Sequence, residues 1–258
     1  MTANAIQLSA DSRPGNRLLA ALPQEAYDRI ASQLQHVDLP RAKVLHTPGE
    51  NIRDLYFPLT CLISITVTMR DGGTAEAGAI GSREVVGVNA FMGGRETTQT
   101  EYIVQVPGEA IRVPAQPLLE EFDTHKQTRD VFLKYTQALI AHISQNAACN
   151  RLHTIEQRYA RWLLEVRDRI RCDDVKLTHE FMSQMLGVRR AGVTESSMLF
   201  ERRGLLKQRR GMIRIIDPSR LREMSCECFS VVRDEYDRLL GDSWGKGASE
   251  RELELTRR

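Results

Sequence analysis

The residues with the most specific chemistry in this chain lie in one stretch, Leu177-Thr-His-Glu-Phe-Met-Ser-Gln-Met-Leu-Gly-Val-Arg-Arg-Ala-Gly-Val-Thr-Glu-Ser-Ser-Met-Leu-Phe-Glu-Arg-Arg-Gly204. The pattern predicts two short helices joined by a tight turn at Gly187, with a small basic hairpin following at once. Thr178 suits the N-cap of the first helix, with Glu180 favourably placed in its first turn. Gly187 stands where the helix must end in a left-handed conformation. Arg189 and Arg190 open the second helix. A guanidinium there can donate two parallel hydrogen bonds to guanine O6 and N7, the commonest specific contact in a DNA major groove. Thr194 lies one turn later on the same face, within reach of a thymine methyl or a phosphate. Glu195 has two open readings, acceptance from a cytosine N4 or a pair with Arg189 or Arg202. His179, Arg209 and Arg210 suit phosphate contacts, being at a helix start and on a hairpin tip. Val193, Met198 and Leu199 are expected in the core. Gly192 completes the candidate interface, at a cost to its helix of up to ~1 kcal/mol relative to Ala.

Charge supports a polyanionic partner. Between Arg158 and Arg222 the chain carries 16 Lys/Arg against 8 Asp/Glu, which leaves the remainder at −6 within an overall +2. Such polarity suggests one half that meets a polyanion and one that does not; charge alone fits a solvated basic surface equally well, and the helix-turn-helix pattern in the same segment weighs against that alternative. The composition, 41% hydrophobic and 27% charged, is that of an ordinary globular protein with room for two modest domains. No apolar run approaches the ~20 residues of a membrane span, and Met1-Thr-Ala-Asn-Ala-Ile lacks the pattern of a signal peptide. Five scattered cysteines argue against a disulfide framework and for a reducing cytoplasm.

Other elements must position these residues. Residues 1–17 read as a flexible arm. Residues 18–122 begin with one or two short helices (Leu18, Leu22, Ile30 and Leu34 at near-helical spacing). They continue as short β-branched runs broken by Pro48-Gly49, Asp71-Gly72-Gly73 and Pro107-Gly108, the texture of a jelly roll. A long helical segment runs from about Pro117 to Asn150. Its stripe of Phe132, Tyr135, Leu139, Ile143 and Ala147 is expected to form a dimer seam over 123–150, with packing on the chain's own β-domain as the alternative. Residues 151–222 form a second domain that starts with a helix burying Trp162, Leu163, Val166 and Ile170. It includes a strand-turn-strand centred on Arg210-Gly211. Residues 223–258 are a helix, predicted over Leu221 to Leu240, and a tail with a frayed helix over Glu250–Leu255. The fold class is α+β: an N-terminal double-stranded β-helix sensor domain, a long dimerisation helix, and a C-terminal winged helix-turn-helix.

At Leu186-Gly-Val-Arg-Arg and Glu201-Arg-Arg-Gly-Leu-Leu-Lys-Gln-Arg-Arg-Gly-Met-Ile-Arg-Ile the chain resembles the cyclic-AMP receptor / fumarate-nitrate regulator (Crp/Fnr) family of bacterial transcription factors. Pro48-Gly49-Glu50 and Leu55-Tyr56-Phe57 are similar to the family's early roll. The resemblance implies a homodimer on a palindromic double-stranded DNA operator, with Arg190 as the base-reading arginine. It also implies RNA polymerase as a candidate partner and a signal sensed by the roll. Ala191, Gly192 and Glu195 depart from the family's pattern, which bears on operator preference.

The roll departs further. Where cyclic-nucleotide binders carry Gly-Glu and a downstream Arg-Ser/Thr-Ala, this chain has Gly87-Val88 and Thr98-Gln99-Thr100, with Arg95 as the nearest substitute cation. A buried phosphate without a cationic fork loses its charge-assisted hydrogen bonds, so the expected effector is an unknown small molecule other than cyclic AMP. An iron–sulfur cluster typically needs four thiolates, and no cysteine precedes Cys61. Haem through His36 or His46 competes with the reading of exposed loop histidines. A cupin-like enzyme needs a His-x-His pair with a following Glu, which is missing. No cofactor and no metal ligand set is predicted, and no catalysis. Cys226-Glu-Cys228, the only close cysteine pair, stays open between a redox or metal role and simple packing. The rival function is a ligand-binding module that acts by protein contact, with a vestigial DNA domain.

Overall fold

The computed structural model describes residues 15–93, 99–209 and 211–241. Helices α1 (Arg17–Ala20) and α2 (Gln24–Ile30) come first. The Oδ1 of Asn16 caps α1 by accepting the Leu19 N–H at 3.0 Å, and its Nδ2 donates to the carbonyls of Pro58 and Glu84. Asn16 and Arg17, expected in the arm, are therefore buried parts of the domain.

Seven strands follow: β1 (Gln35–Leu39), β2 (Val44–His46), β3 (Asp54–Pro58), β4 (Leu62–Thr68), β5 (Thr74–Ile80), β6 (Glu101–Val106) and β7 (Gly108–Pro114). They make two antiparallel sheets, ordered β1-β7-β3 and β2-β6-β4-β5, around one apolar core, as the alternating runs predict. The β4–β5 hairpin turns at Asp71-Gly72-Gly73, where Gly72 has φ +88° and the Met69 N–H donates to the Gly73 carbonyl at 2.8 Å.

The single long helix expected from Pro117 is two, α3 (Ala115–Thr124) and α4 (Lys126–Leu152), because His125 takes an extended conformation between them. The 27 residues of α4 span about 40 Å. Phe132 and Tyr135 are completely buried and Leu139 is 6% exposed, all within the roll's core, with Ile143 packed beside them. This corrects the expected dimer seam: the richest apolar stripe of α4 is consumed by the chain's own β-domain, and only Ala147 of the five lies on the exposed face. The outward face instead carries Leu133, 52% exposed, and Ile140, 57% exposed.

Helix α5 (Ile155–Ile170) begins at a capping box, Thr154 accepting the Gln157 N–H while the Gln157 side chain accepts that of Thr154. Strand β8 (Asp174–Val175), helices α6 (His179–Leu186) and α7 (Arg190–Arg202), and strands β9 (Leu206–Arg209) and β10 (Met212–Ile215) complete the helix-turn-helix and its wing, a sheet ordered β8-β10-β9. The helix expected over Leu221 to Leu240 also divides, into α8 (Pro218–Met224) and α9 (Cys228–Leu240), since Ser225 is extended. Pro218 and Asp217 start α8, the Asp217 side chain accepting the Arg220 N–H at 3.0 Å. Helix α9 lies along α4 and reaches α5, and its Val232 and Tyr236 enter the roll's core. Arg17 of α1 meets it, donating to the Asp237 carboxylate at 2.5 Å and to the Gly241 carbonyl.

The two domains meet through a buried polar seam. Arg169 of α5 lies 3.2 Å from Glu84 of the roll, and Arg161 lies 2.7 Å from Glu165. His142 of α4 stands 3.7 Å from Glu165. Burial alone would raise the Glu165 carboxyl, but Arg161, His142 and Arg169 together hold it well below the usual range. Backbone approaches backbone here: the Ser82 N–H donates to the Arg169 carbonyl, and a Cβ on Gly81 would fall 2.3 Å from that of Arg169.

Candidate nucleic-acid interface

Thr178 caps α6 as expected, its Oγ1 accepting the Phe181 N–H at 3.2 Å. Gly187 ends the helix at φ +61°. The Val188 N–H donates to the Ser183 carbonyl and the Gly187 N–H to that of Gln184, so two carbonyls at the helix end are satisfied before the chain turns. Arg189 takes the N-cap of α7 in extended conformation with no side-chain cap, and Arg190 is the first helical residue. Arg190 is 69% exposed, its nearest carboxylate being Glu180 at 3.9 Å. Ala191 and Glu195 are also exposed, while Val193, Ser196, Ser197 and Phe200 face inward. The Ser197 hydroxyl donates to Tyr159, which stacks on Phe200 at 5.7 Å and locks α7 onto α5.

Thr178, His179, Arg190 and Arg209 converge on one cleft of about 270 Å³ between the start of α6, the start of α7 and the wing. Within it, His179 differs from expectation. Its Nδ1 lies 3.1 Å from Thr194 Oγ1 and its Nε2 lies 2.7 Å from Gln208 Oε1. Both ring nitrogens are engaged, so the imidazole ties α6 to α7 and to the wing instead of waiting for a phosphate. Thr194 in turn donates to the Arg190 carbonyl at 3.0 Å. Glu201 extends this relay, accepting from the backbone and side chain of Gln208 at 2.9 and 3.2 Å. Gln208 and Glu201 were missed by sequence reasoning, because no local periodicity joins a wing residue to a histidine 29 positions earlier.

Gly192 also has a different role. It is half-buried, and a Cβ there would lie 3.1 Å from Ile155 Cδ1, so glycine lets the recognition helix pack closely on the start of α5. Met198, expected in the core, is 50% exposed. Glu195 forms no ion pair with Arg189 or Arg202 among the described residues. Arg209 is exposed on β9, while Arg210 lies outside the described residues. Arg214, on β10 of the wing, is neutralised by two 2.7 Å hydrogen bonds to Asp174.

In the roll, Gly87 has φ +97° and Val88 is 2% exposed in the apolar core. Next to that turn, Phe91 stacks on Phe122 at 4.9 Å and packs on Phe132 at 4.4 Å, and Tyr135 donates to the Val85 carbonyl at 2.9 Å. Aromatic carbon occupies the space between turn and helix. Gln99 is exposed and Thr100 half-buried; Arg95 and Thr98 lie outside the described residues. His46 is not an exposed loop residue: it is 6% exposed in β2, between the rings of Tyr56 and Tyr102. Burial lowers its pKa. His36, likewise not in a loop, is half-buried in β1, 3.4 Å from Glu109.

Residues 157–224 match the family model of the Crp-like helix-turn-helix domain. No curated protein matches the chain by sequence. Among solved structures, FixK2 from Bradyrhizobium japonicum is similar with a TM-score of 0.64 at 14% identity, over 75% of this chain and 98% of that one. The c-di-GMP responsive global regulator CLP of Xanthomonas campestris aligns with a TM-score of 0.60 at 15% identity, covering 75% and 99%. A CRP-family transcriptional regulator from Thermus thermophilus gives 0.61 at 17%, covering 73% and 96%. A Crp-like helix-turn-helix domain thus stands behind a β-roll and a long helix in the fold that those structures share.

Proposed function

We propose that this protein is a homodimeric, sequence-specific DNA-binding regulator of transcription, acting in the cytoplasm without catalysis and responding to a signal other than cyclic AMP. The observation that carries the reading is the start of α7, where Arg190 projects 69% exposed from a rigidly capped turn, paired only loosely with the exposed Glu180 at 3.9 Å. Such a side chain is available for a bidentate base contact. Arg189 and Arg209 flank it for the backbone, RNA polymerase is the candidate protein partner, and the effector is a small molecule of the roll. The homodimer is supported by Leu133, Ile140 and Ala147, exposed at seven-residue intervals along α4. That is the spacing of a coiled-coil seam, and it suits a palindromic operator.

Selection of bound sites from random DNA tests the reading directly. A symmetric consensus whose binding falls steeply with salt is expected, because phosphate contacts release counterions. A protein that enriches no site overturns it and favours action through protein contact. Cyclic AMP is expected to give no heat on titration into the full chain and no change in operator affinity. The buried Val88 and the aromatic packing beside it offer nothing to offset a phosphate's desolvation. Saturable binding of the nucleotide with a rise in operator affinity would point to Arg95.

A further inference from the structure

Four side chains from two distant parts of the sequence converge at the junction between α4 and the DNA-binding domain. Cys149 lies in the last turns of α4 and His153 is its C-cap; Cys226 and Cys228 flank Glu227 at the turn into α9. One ligand atom from each lies within 4.8 Å of all the others. The three cysteines are buried and His153 is half-buried.

The spacing has the dimensions of a coordination shell. Cys149 Sγ stands 3.5 Å from Cys226 Sγ, and Cys228 Sγ stands 3.6 Å from His153 Nδ1. A tetrahedral zinc ion with Zn–S near 2.3 Å and Zn–N near 2.0–2.1 Å has S···S edges of about 3.8 Å and S···N edges of about 3.6 Å. A disulfide would instead require sulfurs about 2.05 Å apart. The surroundings also suit an ion. His153 Nε2, on the far side of the ring, lies 3.3 Å from the Glu227 carboxylate, the outer partner that fixes a ligating imidazole. Gln145 donates to Cys228 Sγ at 3.0 Å.

We propose that Cys149, His153, Cys226 and Cys228 form a tetrahedral binding site for a thiophilic divalent cation, with zinc as the fitting ion. Binding sends the thiol protons to solvent and places three thiolates and a neutral imidazole nitrogen on the metal. The resulting single negative charge sits beside Arg161 and Arg158. The location gives the site a consequence that rests on the DNA-binding reading. Thr154, next to His153, is the N-cap of α5, so the ion staples the end of α4 to the α8–α9 turn across the hinge of the DNA-binding domain. Arg158, one turn into α5, donates to the Leu186 carbonyl at the end of α6. Occupancy therefore holds the helix-turn-helix in one setting relative to α4.

The test uses the full chain, reduced and stripped with a chelator, then titrated with Zn²⁺ or Co²⁺. One equivalent per chain is expected, with the thiolate charge-transfer and strong visible bands of tetrahedral cobalt. Cys226→Ser/Cys228→Ser should lose both. Glu227→Gln should keep the stoichiometry and weaken affinity by about 10–100-fold, a change that a merely structural glutamate would not produce. Should the cysteine variant fail to fold, His153→Gln supplies the loss of one ligand through a shifted cobalt spectrum. Absence of stoichiometric metal and of the cobalt bands in the wild-type chain overturns the site. Metal binding with unchanged operator affinity overturns the coupling alone. A chain that takes up metal yet selects no DNA overturns the DNA-binding reading and leaves the site standing.

Discussion

In the proposed function the base contacts of α7 are concentrated in one guanidinium, that of Arg190, and its exposure makes it testable. Because its side chain is exposed and Glu180 stands no nearer than 3.9 Å, removing it leaves no buried group unpaired. Arg190→Ala is therefore expected to leave the thermal midpoint unchanged while reducing discrimination between operator and random DNA by about 1–3 kcal/mol, measured as a ratio of binding constants at fixed salt. Glu76 behaves differently. It accepts hydrogen bonds from Ser64 and, at 3.0 Å, from the Trp162 indole of α5, yet burial pushes its carboxyl up to about 7. Between the ordinary value of 4.5 and about 7 the folded protein keeps a proton that the unfolded chain has released. This contribution to stability is thus fully present below about 4.5 and is lost as pH rises through about 7. Chemical denaturation across that window should show the decline, and Glu76→Gln should flatten it; an identical slope in the variant would assign the effect to another group.

At the scale of elements, α4 shows what periodicity can and cannot tell. Phe132, Tyr135, Leu139 and Ile143 are correctly legible as one helical face, but a stripe does not name its partner. The roll supplies apolar surface within the same chain, and burying the larger residues there leaves Leu133, Ile140 and Ala147 facing outward for a second copy. Leu133→Glu/Ile140→Glu is accordingly expected to give folded monomers in sedimentation, with much weakened operator binding. Phe132→Ala, by contrast, should cost about 3–5 kcal/mol of fold stability. A double variant that remains dimeric would move the seam off α4. The breaks at His125 and Ser225 were illegible for a related reason: no Gly or Pro marks them, and only tertiary packing makes those residues extended. The turn at Gly187 was legible because its backbone demand is local and glycine meets it. His179 misled because an imidazole at a helix start suits a phosphate as well as it suits Thr194 and Gln208.

For the whole molecule, the order of modules could be read along the chain, since each has its own period and its own punctuation. What could not be read is how the modules are joined. The seam of Glu84, Arg169, Glu165, Arg161 and His142 draws on the roll, α4 and α5 at once. The cluster of Cys149, His153, Cys226 and Cys228 likewise pairs residues 77 positions apart, as its Cys149–Cys226 contact shows. In sequence, Cys226 and Cys228 are only a close pair. Both junctions rest on long-range geometry, and both bear on how firmly α7 is held.

The meeting of α1 with α9 has a consequence for the birth of the protein. Val232 and Tyr236 complete the same core that Leu18 and Leu19 begin, and Arg17 bonds to Asp237 across 220 positions. Chains emerge from the ribosome N-terminus first, and domains ordinarily fold as they appear. Here the roll must wait with an apolar gap at α4 until α9 has been made, so its final closure follows synthesis of the entire DNA-binding domain. A nascent chain stopped after Met224 is expected to be protease-sensitive within the roll, distant in sequence from the missing helix. Adding α9 back as a separate peptide should restore protection if the gap is the cause. Limited proteolysis with mass mapping of the cut sites measures this, and a roll already resistant in the truncated chain would show that it closes without its last helix.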